Sequence, residues 1–205
     1  MRRRLGGMAR QIADEKQALR ADIRTRRQSL SESQRDQATA ALAERLDELI
    51  ERTGARTVSC YLSSPAEPGT RAFINDAMAR GVRVLLPVTR ADGLLDWTVA
   101  TPDGGEYEGL FGLSEPEGEL LGPMAVDDAD LMIVPAAAVG SDGTRLGWGR
   151  GYFDKTLGSM QKCPPVYAVV YDNEVLDAVP REPHDQPVDG IVTPTTIIAL
   201  TSSAR

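Results

Sequence analysis

Residues 57–88 decide the fold. They comprise three stretches: Thr57-Val-Ser-Cys-Tyr-Leu62, Thr70–Arg80 and Val82-Arg-Val-Leu-Leu-Pro-Val88. The first and last of these stretches are rich in β-branched and apolar residues, which favours buried strands. The middle stretch is helical in pattern and is followed by Gly81, a common helix terminator. Because strand, helix and strand in succession imply a parallel strand pair with a right-handed crossover, this unit predicts an α/β protein.

The flanking segments extend this pattern. Two helices are predicted before the unit, at 13–27 and 32–52, and Ser31 with Gln34 forms a capping-box signature for the second. After the unit we predict a short antiparallel addition at 94–100, an extended or mobile loop at 104–124, a helix at 152–157, and strands at 130–134, 164–171 and 190–193. We therefore expect one domain over residues 1–205, with a mostly parallel central sheet flanked by helices.

The composition limits the possible functions. Of the 205 residues, 41% are hydrophobic and 26% charged, and the net charge of −7 argues against binding to duplex nucleic acid. No apolar run approaches the length of a membrane span, and the basic residues 1–11 predict a flexible tail rather than a signal peptide. Cys60 and Cys163 lack metal-ligand spacing and predict reduced, buried thiols. We expect a cytoplasmic monomer that binds neither nucleic acid nor membranes.

The stretch with the most functional information is Gly143-Thr-Arg-Leu-Gly-Trp-Gly-Arg-Gly-Tyr-Phe-Asp154. Three alternating glycines leave one side of the loop without side chains, so backbone N–H groups can approach phosphate oxygens: Gly147, Gly149 and Gly151. Arg145 and Arg150 add positive charge, and Asp154 supplies an oxygen ligand for a hard cation. Together these residues predict a nucleotide triphosphate site.

The glycines alone are weak evidence. The spacing is not that of the dinucleotide-binding fingerprint, and the Gly-Lys-Ser/Thr of a Walker A loop is absent. A tight strand-to-helix turn without a ligand therefore stays open as an alternative. The arginines and Asp154 argue against it, as does the predicted helix after Gly151, whose N-terminus favours an anion.

A second group of candidates lies in a proline-rich segment near the end of the chain. His184 is the only histidine, and no Ser–His–Asp or Cys–His arrangement can be built around it. Asp185 and Asp189 are held by a stiff segment and, with Asp154, would suit Mg²⁺, which takes carboxylates and substrate phosphates as ligands. Solvated loop acids remain the alternative.

Three more charged residues are candidates. Glu67 follows the first predicted strand, at the sheet edge where ligands of α/β proteins gather, and it suits the N–H groups of a heterocycle. Its alternative role is to compensate the N-terminus of the helix that begins near residue 70. Lys16 and Arg20 lie one helical turn apart and form either a phosphate clamp or a solvated basic face.

These residues resemble the 5-formyltetrahydrofolate cyclo-ligase family over nearly the whole chain. The string Arg-Leu-Gly-x-Gly-x-Gly-Tyr-(Tyr/Phe)-Asp is the most specific part of the resemblance. The matching stretches are Lys16–Arg20, Tyr61–Ser63 with Glu67 and Thr70, Leu110–Pro116, Val134–Pro135, Gly143–Asp154, Val179–Pro180, His184–Asp185, Val188–Asp189 and Val192–Thr193.

The resemblance implies a fold related to the sugar-phosphate isomerase and CoA-transferase group. It also implies an ATP- and Mg²⁺-dependent cyclisation of 5-formyltetrahydrofolate to 5,10-methenyltetrahydrofolate, with release of ADP and phosphate. In the family scheme the formyl oxygen attacks the γ-phosphate, and N10 then closes the ring as phosphate departs. Such chemistry depends on positioning and charge neutralisation, so the lack of a catalytic triad does not argue against it.

The resemblance also implies roles for individual residues. Arg150 and Tyr152 would be catalytic, and Asp154 with Asp189 would hold Mg²⁺. The implied ATP-binding residues are Lys16, Arg20, Arg145, Leu146, Gly147, Trp148, Gly149, Arg150, Gly151, Tyr152 and Phe153. The implied folate-binding residues are Leu62, Glu67, Trp148, Gly149, Arg150, Gly151 and Tyr152.

Three positions depart from the family pattern. Phe153 stands where a second tyrosine is common, Glu174 where glutamine is frequent, and Pro194 where an acid is usual. Glu174 cannot donate a hydrogen bond as an amide does, which would alter substrate contacts. A non-catalytic binding paralogue, and a different ATP-dependent ligase or kinase on the same scaffold, therefore stand as alternatives to the cyclo-ligase.

Overall fold

The computed structural model describes the backbone of residues 2–160 and 162–200, and the side chains of residues 7, 8, 10–160 and 162–200. Its helices are α1 (Arg2–Gln28), α2 (Glu32–Thr53), α3 (Arg71–Ala79) and α4 (Tyr152–Ser159). The strands of the main sheet are β1 (Thr57–Ser59), β2 (Arg83–Thr89), β3 (Leu95–Val99), β6 (Leu131–Pro135), β9 (Val166–Val169), β11 (Gly190–Val192) and β12 (Ile197–Ala199). Smaller strands are β4 (Glu106–Glu108), β5 (Ser114–Pro116), β7 (Ala138–Gly140), β8 (Arg145–Leu146) and β10 (Val175–Leu176).

The main sheet confirms the predicted α/β class. Its seven strands lie in the order β12-β11-β9-β6-β1-β2-β3. The five central strands pair in parallel, and β12 and β3 close the two edges in antiparallel pairing. The antiparallel addition predicted at 94–100 is therefore confirmed as β3. Apolar side chains from both faces of the sheet form two buried clusters, as expected for a sheet covered on both sides.

The boundaries of α2 follow from its caps. The Ser31 side chain accepts from the Gln34 amide, and the Gln34 side chain accepts from the Ser31 amide at 2.9 Å. Gly54 ends the helix with φ 66°, a left-handed conformation that favours glycine. The predicted capping box is confirmed, because these signals act within a few residues of the chain.

Replacing Ser31 with alanine is expected to lower the free energy of unfolding by about 1 kcal/mol, since the Gln34 amide loses its acceptor. Urea unfolding followed by circular dichroism measures this change. The matched control is Ser33→Ala, two residues further along the same exposed helix end, for which we expect a smaller loss. Equal losses for the two variants would contradict the capping role of Ser31.

Several predicted elements differ from those observed. The segment 104–124 is not simply a loop, because β4 and β5 pair within it as an antiparallel hairpin. Helix α1 begins at Arg2, so the backbone is helical over residues 2–11 of the segment for which a flexible tail is predicted. The small sheet β10-β7-β8 was not predicted, because its strands have two or three residues each and carry no periodic signal.

The face of α1 that carries Ile23 packs on this small sheet, against Ala137, Ala138 and Leu146. This packing directs the polar residues on the same side of α1 toward the loop that follows β8. Cys60 is buried as predicted, and burial raises the pKa of its thiol to about 12, whereas Cys163 is only partly buried. None of the described helices is long and apolar enough to cross a lipid bilayer.

Candidate active site

The candidate site lies at the edge of the sheet where the parallel strands end. Tyr61 and Leu62 follow β1, Thr89 ends β2 and Pro135 ends β6, and these residues line one cavity. Ligands of open α/β sheets bind at this edge because the loops and helix N-termini meet there. The glycine-rich run from 143 to 154 crosses the edge between β8 and α4.

Two adjoining cavities occupy this edge. Cavity I, of about 350 Å³, extends from Tyr61 and Glu67 to Tyr152 and is lined mostly by apolar surface. Cavity II, of about 660 Å³, is lined by residues of α1 and α4, among them Lys16 and Lys155, and by Asp185. Both cavities are lined by Arg145, Gly147, Gly151 and Asp154. The glycine-rich loop is therefore a wall shared by two compartments.

The loop needs its glycines for two different reasons. Gly149 and Gly151 have φ of 92° and 72°, which L side chains rarely adopt. At Gly147 an added Cβ would lie 2.8 Å from Arg145 Nη1, so a side chain there would collide with the guanidinium. Gly151 is also the N-cap of α4 and makes no side-chain cap bond, which leaves the first amides of that helix available to an anion.

Basic side chains surround cavity II and are held in place by the fold. Arg145 is buried, donates to Pro135 O at 3.1 Å and pairs with Asp154 Oδ1 through Nη2 at 2.8 Å. Arg20 donates from Nε to Gly147 O at 2.7 Å, so α1 and the loop are joined directly. Burial lowers the pKa of Arg20, an effect that the nearby carboxylates, Asp185 foremost, oppose.

Lys16 is buried at the far side of cavity II and has two carboxylate partners. Its ammonium lies 2.6 Å from Asp185 Oδ2 and 2.8 Å from Glu182 Oε2. Lys16 is therefore not part of a solvated basic face, and the first helix and the segment near residue 185 meet at this cavity. His184 has a 72% exposed side chain, lies beside the pair and also lines cavity II.

Asp154 and Asp189, the two carboxylates that the resemblance assigns to Mg²⁺, do not lie together in the structure. Asp154 lines both cavities, and its Oδ1 accepts from the Gln186 amide at 3.3 Å, which brings the segment of Asp185 next to it. Asp189 instead accepts a hydrogen bond of 2.8 Å from the amide of Val166, the first residue of β9. The cavities lie at the edge of the sheet where the parallel strands end. Because β9 rises by about 10 Å between its first and last residues, Asp189 lies away from both cavities. Asp154 and Asp189 therefore do not line the same cavity, whereas Asp185 lines cavity II together with Asp154.

Arg150 lies at the exposed tip of the loop. Its guanidinium stacks on Phe111, with Cζ 3.6 Å from the ring centroid, in a cation–π contact. Phe111 has φ 68° and is 57% exposed, so an unfavourable backbone conformation presents an apolar ring to Arg150. The Phe111 ring also lies 6.5 Å from that of Tyr152, so the hairpin of β4 and β5 reaches the mouth of cavity I.

Tyr152, Phe153 and Trp148 line cavity I as aromatic surface. The Tyr152 hydroxyl donates to Arg90 O at 2.9 Å, so the hydroxyl is engaged with the backbone and the ring faces the cavity. This arrangement favours a role for Tyr152 in stacking and positioning over proton transfer. Leu146 is buried in β8 and reaches only cavity II.

Glu67 lines cavity I, and its Oε2 accepts from the Ser64 amide at 2.8 Å. This contact holds the carboxylate within its own turn. The helix that follows, α3, has Thr70 as its N-cap, and the Thr70 side chain donates to Tyr61 O at 2.5 Å. The alternative role of Glu67, compensating the charge of that helix, therefore has no contact in its favour. Of the seven residues predicted to bind folate, Gly149 lines only cavity II, and the other six line cavity I: Leu62, Glu67, Trp148, Arg150, Gly151 and Tyr152.

The structure explains why position 174 carries glutamate, where glutamine is frequent in the family. It is buried and forms two hydrogen bonds of 2.7 Å with the guanidinium of Arg27, and it also accepts from the Tyr171 amide. Each of these contacts needs an acceptor, so a carboxylate serves better than an amide at this position. Pro194 lines neither cavity, and no contact links it to the site.

The sequence interpretation missed several residues of the site, Arg24 and Arg27 among them. A signal was present, because Lys16, Arg20, Arg24 and Arg27 recur at helical spacing and share one face of α1. Glu115 was also missed; it is buried and accepts from the Thr89 amide at 3.0 Å, which anchors the hairpin to the sheet. Its sequence context of glycines and acids gave no indication of burial.

The chain is similar to known proteins over most of its length. The profile of the 5-formyltetrahydrofolate cyclo-ligase family matches residues 12–194. The chain is 38% identical over 191 residues to a 5-formyltetrahydrofolate cyclo-ligase of Mycolicibacterium smegmatis, covering 90% of this chain and 97% of the relative.

Solved structures have the same fold. The 5,10-methenyltetrahydrofolate synthetase of Aquifex aeolicus superposes with a TM-score of 0.76 at 27% identity, covering 93% of this chain and 95% of its own. The corresponding synthetase of Mycoplasma pneumoniae superposes with a TM-score of 0.70 at 20% identity, covering 88% of this chain and 99% of its own, and supports the fold.

Proposed function

Because this chain belongs to the 5-formyltetrahydrofolate cyclo-ligase family, we propose that its two adjoining cavities bind the two substrates of that reaction side by side. The chain converts 5-formyltetrahydrofolate to 5,10-methenyltetrahydrofolate and consumes ATP as co-substrate. The formyl oxygen attacks the γ-phosphate, and N10 then displaces phosphate as it closes the ring. The protein must align the two substrates and neutralise charge as it moves from ATP to the transferred group.

ATP binds in cavity II in this proposal. Lys16, Arg20 and Arg145 converge on the cavity, and the loop presents backbone amides beside the N-terminus of α4. Both features favour a polyanion. Arg150, at the tip of the loop and without an ion pair in the described part of the chain, is the cation best placed to follow the transferred phosphoryl group.

The Mg²⁺ ion implied by the family fits the carboxylates that line this cavity. Asp154 and Asp185 supply two of them, and Asp154 Oδ2 makes no hydrogen bond with the described residues. Mg²⁺ is usually held by one or two carboxylates together with substrate phosphates, so this set suits it. When bound, the ion would neutralise charge on the phosphate oxygens.

Cavity I is the proposed folate site. It combines apolar and aromatic walls from Leu62, Trp148 and Tyr152 with the carboxylate of Glu67. A pterin ring presents an aromatic face and N–H groups at its edge, which match stacking surfaces and a carboxylate acceptor. The shared loop then places the reacting formyl group next to the phosphates.

The observation that carries this proposal is the wall shared by a mostly apolar cavity and a more polar one that is lined by both basic and acidic side chains. The test follows methenyl product by its absorbance with ATP, Mg²⁺ and 5-formyltetrahydrofolate present. We expect product only when all three are supplied, with one ADP released per product formed. Absence of product at high enzyme concentration would contradict the assignment.

Three further statements remain predictions under this proposal: one functional unit over residues 1–205 whose first eleven residues are dispensable, action as a monomer, and a cytoplasmic location. The family profile begins at residue 12, which supports the first of these. Activity of a chain starting at residue 12, and its mass in solution by light scattering, test the first two.

A further inference from the structure

We propose that Tyr61 and Arg27 determine substrate specificity by donating hydrogen bonds to an acceptor atom on the heterocycle bound beside Glu67. The proposal rests on the assignment of cavity I to the folate substrate and adds two residues to that site. The ligand feature it names is a ring carbonyl next to a ring N–H, as in a cyclic amide.

The first observation is the Tyr61 hydroxyl. Tyr61 lines cavity I and is 5% exposed, yet its Oη has no hydrogen-bond partner among the described residues. A buried hydroxyl without a partner costs free energy, and such groups are rare in folded proteins. Burial, and next the Glu67 carboxylate, raise the pKa of Tyr61 well above its usual value, so the hydroxyl keeps its proton.

The second observation is Arg27, which is 1% exposed and also lines cavity I. Its Nε and Nη2 are engaged by Glu174, and Nη2 also donates to Ala136 O at 2.9 Å. Its Nη1 has no hydrogen-bond partner within the described residues. Glu174 therefore neutralises the guanidinium and fixes its orientation, while two N–H groups of Nη1 stay unused.

These donors lie near the acceptor that the proposed function already uses. The charge of Glu67 affects the titration of both Tyr61 and Arg27, and all three residues line one cavity. Trp148 adds a third buried donor without a partner, its indole Nε1, and its ring lies 5.0 Å from Arg27 Cζ. The part of the cavity around Glu67 thus combines a carboxylate acceptor with several donors that have no hydrogen-bond partner among the described residues.

That pattern complements the amide-like edge of a pterin. The ring N–H and exocyclic amino group of a pterin donate, which suits Glu67, and its ring oxygen accepts, which suits Tyr61 and Arg27. A site that leaves buried donors unpaired rejects a ligand that lacks the matching acceptor. An analogue with an amino group in place of this oxygen presents two hydrogens to Arg27, and a guanidinium cannot accept them.

The first test is Tyr61→Phe, measured with the intact enzyme. We expect the KM for 5-formyltetrahydrofolate to rise about tenfold, the worth of one hydrogen bond to substrate, with the KM for ATP unchanged. The melting temperature should stay the same or rise, because the lost hydroxyl has no partner in the protein. Tyr167→Phe, in β9 and away from both cavities, is the matched control and should leave both KM values unchanged.

The second test is the double variant Arg27→Met with Glu174→Leu, which removes both members of the buried pair together. Replacing a buried ion pair with apolar residues is often tolerated, whereas removing one partner leaves the charge of the other buried and unpaired. Inhibition constants are measured for the substrate analogue with the ring oxygen and for its 4-amino counterpart. We expect wild type to prefer the oxygen analogue by about tenfold or more, and the double variant to lose that preference.

The outcomes separate this inference from the proposed function. A wild type that forms no methenyl product overturns the function itself. An active wild type whose Tyr61→Phe variant keeps its folate KM overturns the assignment of Tyr61. A folded double variant that still prefers the ring oxygen overturns the assignment of Arg27. If the double variant does not fold, the folate KM of Tyr61→Phe decides the proposal.

Discussion

Replacing Arg150 with alanine is expected to lower turnover by about a hundredfold or more, because a cation aimed at the charge that develops in phosphoryl transfer is lost. Arg150 lies at the loop tip and forms no ion pair in the described part of the chain, so its charge is available to substrate. Because the side chain is exposed, the free energy of unfolding should hardly change. Single-turnover measurements with saturating ATP isolate this step from product release.

The matched control for Arg150→Ala is Arg56→Ala. Arg56 is also exposed, but it precedes β1 at the opposite edge of the sheet, far from both cavities. Its removal takes away one positive charge, as Arg150→Ala does, and should leave turnover within about twofold of wild type. Equal turnover in the two variants would remove Arg150 from the mechanism.

Replacing Asp185 with asparagine is expected to raise the Mg²⁺ concentration needed for half-maximal activity by about tenfold or more. The physical reason is the loss of one anionic oxygen from the pair that lines cavity II. Asp154→Asn should shift the same titration in the same direction. Activity is measured against total Mg²⁺ at a fixed, saturating ATP concentration, and thermal melting confirms that each variant is folded.

Asp189→Asn is the control that distinguishes the two possible pairings. Asp189 caps the first amide of β9, and the amide oxygen of asparagine can still accept that hydrogen bond. The Mg²⁺ titration of this variant should therefore match that of wild type. A shift in Asp189→Asn together with an unchanged Asp185→Asn would restore the pairing expected from sequence and refute the one drawn from the fold.

Local signals made much of the fold predictable. The capping box at Ser31, the glycine end of α2 and the strand–helix–strand unit at 57–88 each depend on interactions between residues close in the chain. Their physical basis is side-chain chemistry and periodicity, which the sequence displays directly. The short strands β7, β8 and β10 could not be predicted in this way, because tertiary packing against α1 stabilises them.

The site was predictable in its loop and less so in its partners. The glycine-rich run combines glycines, arginines and a carboxylate within one stretch, and in the fold this stretch lines both cavities. Lys16 and Asp185, by contrast, are 169 residues apart in the chain, and spacing within the second segment cannot tell which aspartate turns toward the cavity. Arg27 was missed for a similar reason: a buried arginine is plausible only once Glu174 is known to lie beside it.

The wall shared by the two cavities has a consequence for how this protein can change. Arg145, Gly147, Gly151 and Asp154 each face both compartments, so a substitution at any of them alters two specificities at once. A variant selected for a new nucleotide would be expected to drift in its folate preference, and the reverse also holds. The two specificities can be changed independently only at residues that line a single cavity, such as Lys16 in cavity II and Glu67 in cavity I. Engineering of either preference should begin at residues that line one cavity and leave the shared wall unchanged.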